Sequence, residues 1–426
     1  MATELGIALL GAGTVGAAVA RELHLHADRL AQRSGGPLVL RRLAERDPAR
    51  IRALRLEGVA IGGDAEAAVA APDVDIVVEL LGGLNPAGAA LEIALRRGLG
   101  AVTANKAVIA TSGRRLAALI RPGSGGLAFE ASVGAAMPVL AMLRDSLRGD
   151  EIRSLTAVIN GTTNHVLGRL EAGDALDDAV TDAQRRGFAE ADPSSDLDGH
   201  DAAQKLCILA WFAMGAEVVP AQVLRRGIRD VTPGDVRAAG RLGCVIRLVA
   251  RAERSAEGLD LSVQPALVPR SGHPLGEVEG ADNAILVETD LAGRLLLRGR
   301  GAGADAAASA VLSDIVAVAR ARRDGREVGL PAATGIELID PEAATTASWL
   351  RLRGEGELPP AGELARALEA VGATVERIVP GESTDDLAAL IGAAPRASLS
   401  RAVRDLGRRD PPMTVVQTMD RLEPLT

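Results

Sequence analysis

Glu4-Leu-Gly-Ile-Ala-Leu-Leu-Gly-Ala-Gly-Thr-Val-Gly-Ala-Ala-Val-Ala20 combines a short apolar run, a glycine turn and the start of an Ala- and Leu-rich stretch reaching to about residue 33. The order is strand, turn, helix. In that order Gly11, Gly13 and Gly16 read as a dinucleotide-binding turn. The first glycine allows a tight bend, the second lets a pyrophosphate approach the backbone, and the third lets helix and strand pack closely. The helix N-terminus, from Thr14 and Val15 onward, offers free N–H groups to the phosphates.

Working outward, residues 38–44 read as a second strand, followed by Glu45-Arg46-Asp47. An acid at this point suits a ribose hydroxyl, whereas an arginine suits a 2′-phosphate. Both are present, so NAD and NADP stay open. Strands at 75–81 and 100–103 end in Gly82-Gly83 and in Ala104-Asn105-Lys106. Strands alternating with helical stretches to about residue 140 predict an α/β fold with a doubly wound parallel sheet. From about 150 the texture changes to strands at 152–159, 245–251, 259–268, 284–288 and 295–300, with helices between. The segment Gly299-Arg-Gly-Ala-Gly303 opens another helix, expected to return to the first domain.

The whole chain of 426 residues fits about three domains. Its 47% apolar and 24% charged content excludes intrinsic disorder. No apolar stretch is long enough for a membrane helix, and Met1-Ala-Thr-Glu4 lacks a basic leader region, so no membrane partner and a cytoplasmic location are expected. A net charge of −8 argues against a nucleic-acid partner. Cys207 and Cys244 stand singly, without disulfide or metal spacing.

Of the 48 basic residues, 46 are arginine and only Lys106 and Lys205 are lysine. Where arginine is so favoured, a surviving lysine suggests that an ammonium is required. It is a compact charge that can release its proton, which a guanidinium cannot. The alternative for either residue is chance. Lys205 closes an acid-rich segment holding Glu190, Asp192, Asp196, Asp198 and Asp201. Asp201 and Lys205, four apart, share one face of a helix, and the apolar Leu206-Cys-Ile-Leu-Ala210 that follows favours a partly buried pair over a solvated one. Asp192 before Pro193 and Asp198 before Gly199 also suit turns. An ammonium near a nicotinamide can donate a proton to a carbonyl oxygen, and carboxylates can hold a substrate ammonium, which implies an amino-acid substrate.

These motifs together resemble homoserine dehydrogenase over essentially the whole chain. The resemblance rests on Gly11-Ala-Gly-Thr-Val-Gly16, Glu79-Leu-Leu-Gly-Gly83, Thr103-Ala-Asn-Lys106, Phe129-Glu-Ala-Ser-Val-Gly134 and Asn160-Gly-Thr-Thr-Asn164. Its most specific parts are Gly187-Phe-Ala-Glu-Ala-Asp-Pro193 and Asp196-Leu-Asp-Gly-His-Asp-Ala-Ala-Gln-Lys-Leu206. It implies NAD(P)-dependent interconversion of L-homoserine and L-aspartate 4-semialdehyde, in threonine, methionine and isoleucine biosynthesis. It makes Lys205 the proton donor and acceptor, and sets Lys106 between nicotinamide and substrate. Glu190, Asp196 and Asp201, with Gly161 and Thr162, would line the homoserine site. Thr103, Arg46, Gly187, Gly301 and Gly303 would join the glycine turn at the cofactor. Glu130 and the carbonyls of Val133, Ala135 and Met137 would hold a sodium ion.

The resemblance further implies a Rossmann-type domain at 1–140 with return of about 301–340. A catalytic and dimerisation domain is expected at 141–300, and a βαββαβ ACT-like domain at 347–426. That last module implies a homo-oligomer, a dimer or dimer of dimers, and an amino-acid effector such as threonine. The effector turn, Gly354-Glu-Gly-Glu-Leu-Pro-Pro-Ala-Gly362, carries a second proline where a glycine is expected, so weak or absent control is predicted. His165 stands where the family usually has tyrosine, and Ala135-Ala136 replaces a glycine pair. The final turn reads Arg-Gly-Ala-Gly rather than Pro-Gly-Ala-Gly, and no upstream kinase domain is expected. Another reductase acting on an amino acid or semialdehyde on the same two-domain plan, or a non-catalytic NAD(P) sensor, are the competing readings. The sensor predicts loss of the acid–lysine set, which is present.

Overall fold

The computed structural model describes residues 3–354, 361–370, 372–380, 386–406 and 413–425. It divides into two compact units. One comprises Met1–Glu151, Cys207–Pro220 and Leu297–Gly335, the other Ile152–Leu206, Ala221–Leu296 and Ile336–Thr426.

In the first unit, the described residues form a six-stranded sheet of β1 (Leu5–Leu10), β2 (Leu38–Ala44), β3 (Ala60–Gly62), β4 (Ile76–Glu79), β5 (Gly100–Thr103) and β6 (Leu127–Ala128). The order is β3-β2-β1-β4-β5-β6, and every neighbouring pair is parallel. Successive side chains of a strand point to opposite faces. Ile7 and Leu9 accordingly enter a core with Val19, Leu23, Val311 and Ile315, while Ala8 and Leu10 enter another with Val69, Ala90 and Ala94. Burial on both faces is why β1 reads as an unbroken apolar run. The helix Ala304–Arg323 supplies Val311, Ile315 and Val318 to this sheet. Chain order reverses between β1 and β4, the switch point where such sheets bind ligands.

The stretch predicted as one helix over 17–33 is two, Thr14–Leu25 and Ala27–Ser34. His26 leaves the helical region (φ −121°, ψ 29°) and serves both ends. No glycine or proline marks the break, so apolar periodicity runs straight across it. The strands β3 and β6 escape a periodicity reading because they span three and two residues.

The remaining strands, nearly all in the second unit, are β7 (Ile152–Val158), β8 (Leu224–Arg225), β9 (Cys244–Arg254), β10 (Leu259–Pro269), β11 (Asp282–Thr289), β12 (Arg294–Arg300), β13 (Thr345–Gly354), β14 (Val375–Pro380), β15 (Asp386–Pro395) and β16 (Met413–Arg421). Among the described residues they form one sheet in the order β12-β11-β7-β9-β10-β16-β13-β15-β14, with β8 beside β10. The C-terminal segment runs strand, helix (Ala361–Glu369), strand, strand, helix (Arg396–Leu406), strand, the βαββαβ order. It has its own core of Leu350, Leu352, Leu364, Leu368, Ile391 and Leu399. Its β16 pairs in parallel with β10 through Ala266–Asp420 and Leu267–Arg421. Most of the predicted effector turn, residues 355–360, lies outside the described residues.

Candidate active site

The glycine turn has the geometry its spacing implies. Gly11 takes φ 94°, and a Cβ there would lie 2.7 Å from the Leu80 carbonyl oxygen. A Cβ on Gly16 would lie 2.1 Å from the carbonyl oxygen of Gly11, so any larger residue would push helix and strand apart. Gly13 caps the helix Thr14–Leu25 without a side-chain hydrogen bond, and nothing nearer than Arg50 Nη1 at 3.9 Å crowds its Cβ direction. This is a bare cradle of N–H donors that a pyrophosphate fits. Gly11 and Gly13 border a cavity of about 530 Å³ that also touches Glu45, Arg46 and Arg50. The Glu45 carboxylate turns back onto the N–H groups of Ala12 (2.8 Å), Arg46 (2.8 Å) and Asp47 (2.9 Å). Burial pushes its pKa up, but these donors and the Arg50 charge outweigh burial and hold it below the ordinary range. The exposed Arg46 guanidinium makes no hydrogen bond or ion pair among the described residues.

At the same sheet edge, Glu79 ends β4 fully buried and accepts from Thr103 Oγ1 (2.5 Å) and the Leu81 N–H (2.8 Å). Thr103 Oγ1 in turn accepts from the Asn105 N–H (2.9 Å), and Asn105 Nδ2 donates to the Gly83 carbonyl (2.6 Å). Asn105 also caps the helix Lys106–Ala117 through the Val108 N–H. Lys106 therefore projects from the first turn of a helix whose start is tied to two strand ends. The Thr103 hydroxyl is consumed in this network. Further along the chain, Gly303 (φ 125°) caps the helix Ala304–Arg323, with Gly301 two residues before it.

Asp201 and Lys205, both in the second unit, lie one turn apart on the helix His200–Met214. Lys205 Nζ lies 2.8 Å from Asp201 Oδ2 and donates to the Ile159 carbonyl at 2.7 Å, and both side chains are nearly buried. Asn160 Nδ2 donates to Asp196 Oδ1 (2.7 Å) and to Asp201 Oδ2 (2.9 Å). Its Oδ1 accepts from the Thr163 N–H, which caps the helix Gly161–Glu171. Burial pushes the Asp196 carboxyl above its ordinary range, with Asn160 opposing the rise and the Asp201 charge adding to it. Gly161 packs against Ala281, where a Cβ would lie 3.2 Å from a carbonyl oxygen. Thr162 Oγ1 donates to the Phe188 carbonyl at 2.6 Å. Glu190 is exposed and stands outside this hydrogen-bonded set, on the loop that begins at Gly187 (φ 75°).

A third cluster is acidic and buried. Glu130 accepts from the N–H groups of Leu140 (2.8 Å) and Ala141 (2.7 Å), and its own N–H donates to Asp314 Oδ2 (2.8 Å). Burial raises the pKa of both acids, and the Glu130 charge adds to the rise at Asp314. The loop after Glu130 curls through Gly134 (φ 75°) and Ala135 (φ 48°), the latter a left-handed position held by a residue with a Cβ.

Two family models match the chain, "Homoserine dehydrogenase, NAD binding domain" over residues 11–130 and "Homoserine dehydrogenase" over residues 138–316. The homoserine dehydrogenase of Corynebacterium glutamicum is 39% identical, the match covering 99% of this chain and 96% of that protein. The chain belongs to the homoserine dehydrogenase family. That of Bacillus subtilis is 32% identical over 90% of each chain. The crystal structure of a homoserine dehydrogenase from Thiobacillus denitrificans superposes with a TM-score of 0.93 at 33% identity, covering 99% of both chains. A hyperthermophilic archaeal homoserine dehydrogenase in complex with NADPH superposes with a TM-score of 0.64 at 30% identity, covering 74% of this chain and 97% of that one.

Membership makes the chain an NAD(P)-dependent oxidoreductase with homoserine dehydrogenase activity, and no helix among the described residues is long and apolar enough to cross a membrane. Within this homoserine dehydrogenase, three polar groups that order the sites are not marked individually by the sequence. Asn160 and Glu79 sit inside recognised motifs, and an acid ending an apolar strand run was a usable signal for Glu79. Nothing local marks Asp314, which meets Glu130 from 184 residues away.

Proposed function

We propose that this homoserine dehydrogenase moves the substrate's hydroxyl proton through Lys205. The observation that carries this reading is the double anchoring of its ammonium on Asp201 and the Ile159 carbonyl. A lysine has three N–H donors, so two anchors aim the third at a substrate oxygen. In homoserine oxidation the neutral Lys205 amine takes the hydroxyl proton as the carbonyl forms and becomes the ammonium, and in the reverse direction the ammonium returns that proton through its third N–H. Bound NAD(P) supplies the hydride acceptor or donor for the carbon bearing that oxygen. Asp201 keeps the lysine oriented and Asn160 keeps Asp201 oriented. Asp196 and Glu190 are assigned to the substrate ammonium, with Gly161 and Thr162 shaping the pocket. Lys106 is assigned as a fixed cation toward nicotinamide and substrate.

Gly11, Gly13, Thr14, Val15 and Gly16 hold the pyrophosphate in this reading, with Thr103, Gly187, Gly301 and Gly303 contributing backbone. Arg46 faces the 2′-phosphate, which favours NADP while NAD is still accepted; the turning of Glu45 onto backbone N–H groups supports this. The all-oxygen donor set of Glu130 and the carbonyls of Val133, Ala135 and Met137 suits a hard cation, and the surplus of buried negative charge with Asp314 fits sodium there. The βαββαβ module is assigned to self-association, with weak or absent threonine control. The test is steady-state oxidation of L-homoserine with NAD and NADP in turn, with L-threonine titrated into the same assay. Homoserine turnover that is faster with NADP and insensitive to millimolar threonine is expected. No turnover with either cofactor overturns the proposal.

A further inference from the structure

His165 belongs to none of the roles above, yet its side chain is only 10% exposed and is held by two specific contacts. Its Nε2 meets Asp182 Oδ2 at 2.9 Å, which links the helix Gly161–Glu171 to the helix Leu176–Arg185. Its ring lies 4.9 Å, centroid to centroid, from the ring of Phe188, at an interplanar angle of 47°. Phe188 is otherwise an exposed aromatic on the loop between Gly187 and Asp192. The same loop is tied at further points, one of them the Ala189 N–H donating to the Ala183 carbonyl (3.3 Å). The Phe188 N–H donates to the Ala183 carbonyl (2.9 Å), Thr162 Oγ1 donates to the Phe188 carbonyl (2.6 Å), and Gln184 Nε2 donates to the carbonyls of Glu190 and Ala191, each at 3.1 Å. Asp182 also accepts from Arg185 Nη2 (3.0 Å) and pairs with Arg186 Nε (2.8 Å), both at the C-terminal end of its own helix, so its carboxylate is held in place along that helix as well. The hydrogen bond from His165 comes first among the causes that keep the Asp182 carboxyl below its ordinary range.

We infer that His165 is a positioning residue: hydrogen-bonded to Asp182 and packed on Phe188, it fixes the Gly187–Asp192 loop and through it the placement of Glu190 for substrate. A loop residue with an exposed side chain gains no fixed position from its own burial. Glu190 is such a residue, so the precision of its carboxylate comes from the backbone anchors on either side of it. The His165 ring packs against Phe188, and its bond to Asp182 keeps that ring from turning away. The role in substrate binding rests on the assignment of Glu190 made above; the ordering of the loop does not.

The test uses the full chain with His165→Ala, His165→Gln and Asp182→Asn, with Glu190→Gln alongside. His165→Gln keeps a side-chain N–H near the position of Nε2 while removing the ring. Two readouts are taken: homoserine KM against kcat, and hydrogen exchange at the amides of Phe188 and Ala189. His165→Ala should speed exchange at both amides and raise the homoserine KM about tenfold, the scale of one lost hydrogen-bonded anchor, with kcat and the nicotinamide KM within about twofold. Asp182→Asn should show the same pattern more weakly, and His165→Gln should recover part of the KM. Unchanged exchange in His165→Ala overturns the loop-fixing role. Faster exchange with an unmoved homoserine KM, while Glu190→Gln does raise it, overturns the link to substrate. If Glu190→Gln also leaves KM unmoved, it is the assignment of Glu190 that fails. Should His165→Ala not fold, His165→Gln and Asp182→Asn carry the same two readouts.

Discussion

Nζ of Lys205 lies 2.8 Å from Oδ2 of Asp201, one turn earlier on the same face of one helix. On a solvated helix such a pair is worth a few tenths of a kcal/mol. Here both side chains are largely buried and Asp201 is bonded a second time by Asn160, so the pair fixes an orientation rather than decorating a surface.

Lys205→Ala should lower kcat at least ~10²-fold, as expected for a lost general acid and base, with nicotinamide binding by fluorescence titration largely intact. Lys205→Arg should fail nearly as badly, because a guanidinium keeps its proton. Near-native turnover in the arginine variant would refute the proton-transfer role.

Asn160 allows donor and cap to be separated. Asn160→Asp keeps the oxygen that accepts from the Thr163 N–H, and replaces the donor to Asp196 and Asp201 with a third carboxylate. Because three carboxylates then share one buried site, the melting temperature should fall, and kcat/KM for homoserine should fall strongly while the nicotinamide KM stays in place. Asp201→Asn and Glu190→Gln should likewise change homoserine KM or turnover and leave the nicotinamide KM in place. A shift confined to the nicotinamide KM would show that these groups do not serve the substrate.

Much of this was legible in the residues, for stated physical reasons. The glycine turn follows from spacing because each glycine answers a different steric demand at Gly11, Gly13 and Gly16. The lysine–acid pair follows from helical periodicity and from the scarcity of lysine. What stayed hidden depends on long-range approach. The meeting of Glu130 with Asp314 joins a loop to a late helix, and Asp75 meets Arg322 in the same way across 247 residues. The joining of β16 to β10 was also invisible, since strand periodicity names a strand's faces and not its neighbours.

Arg46→Ala should weaken NADP by about tenfold, the loss of one charged hydrogen bond, and NAD far less. Equal losses for both cofactors, measured as KM ratios, would remove Arg46 from the 2′-phosphate.

Asp314 gives a pH signature. Its pKa is raised well above the ordinary value in the fold, chiefly by burial and then by the Glu130 charge. A raised acid contributes least destabilisation while protonated in both states. Stability is therefore lost as pH climbs from the ordinary carboxylate value, about 4, toward the raised folded value. Asp314→Asn escapes that loss. In sodium-free buffer its melting temperature relative to the parent should rise between pH 4 and 7, and added sodium should narrow the gap. A difference that stays flat across that range would mean that the acid is not strained by burial.

The C-terminal module is bonded into the second unit through two buried arginines. Arg351, on β13, donates to Asp235 (2.9 Å) and Asp386 (2.8 Å), and all three side chains are almost wholly buried. A Cβ at Gly234 would lie 2.7 Å from Arg351 Nη1, so glycine leaves the room that the guanidinium occupies. Arg396 donates to Asp260 (3.1 Å) and Asp420 (3.1 Å), joining β10 to β16 a second time. Removing one partner of a buried ion pair leaves an uncompensated charge and costs about 3–5 kcal/mol. Arg351→Met should therefore lower the unfolding free energy by about that amount, and truncation before Ala347, which strands Asp235 and Asp260, should yield an unstable chain. The loss comes from stranded carboxylates rather than from the missing arginine as such, so adding Asp235→Asn and Asp386→Asn to Arg351→Met should recover a large part of it. A truncated chain with parental stability by chemical denaturation, or an Arg351→Met variant within about 1 kcal/mol of the parent, far short of the cost of a stranded buried charge, would show that the module is an independent appendage.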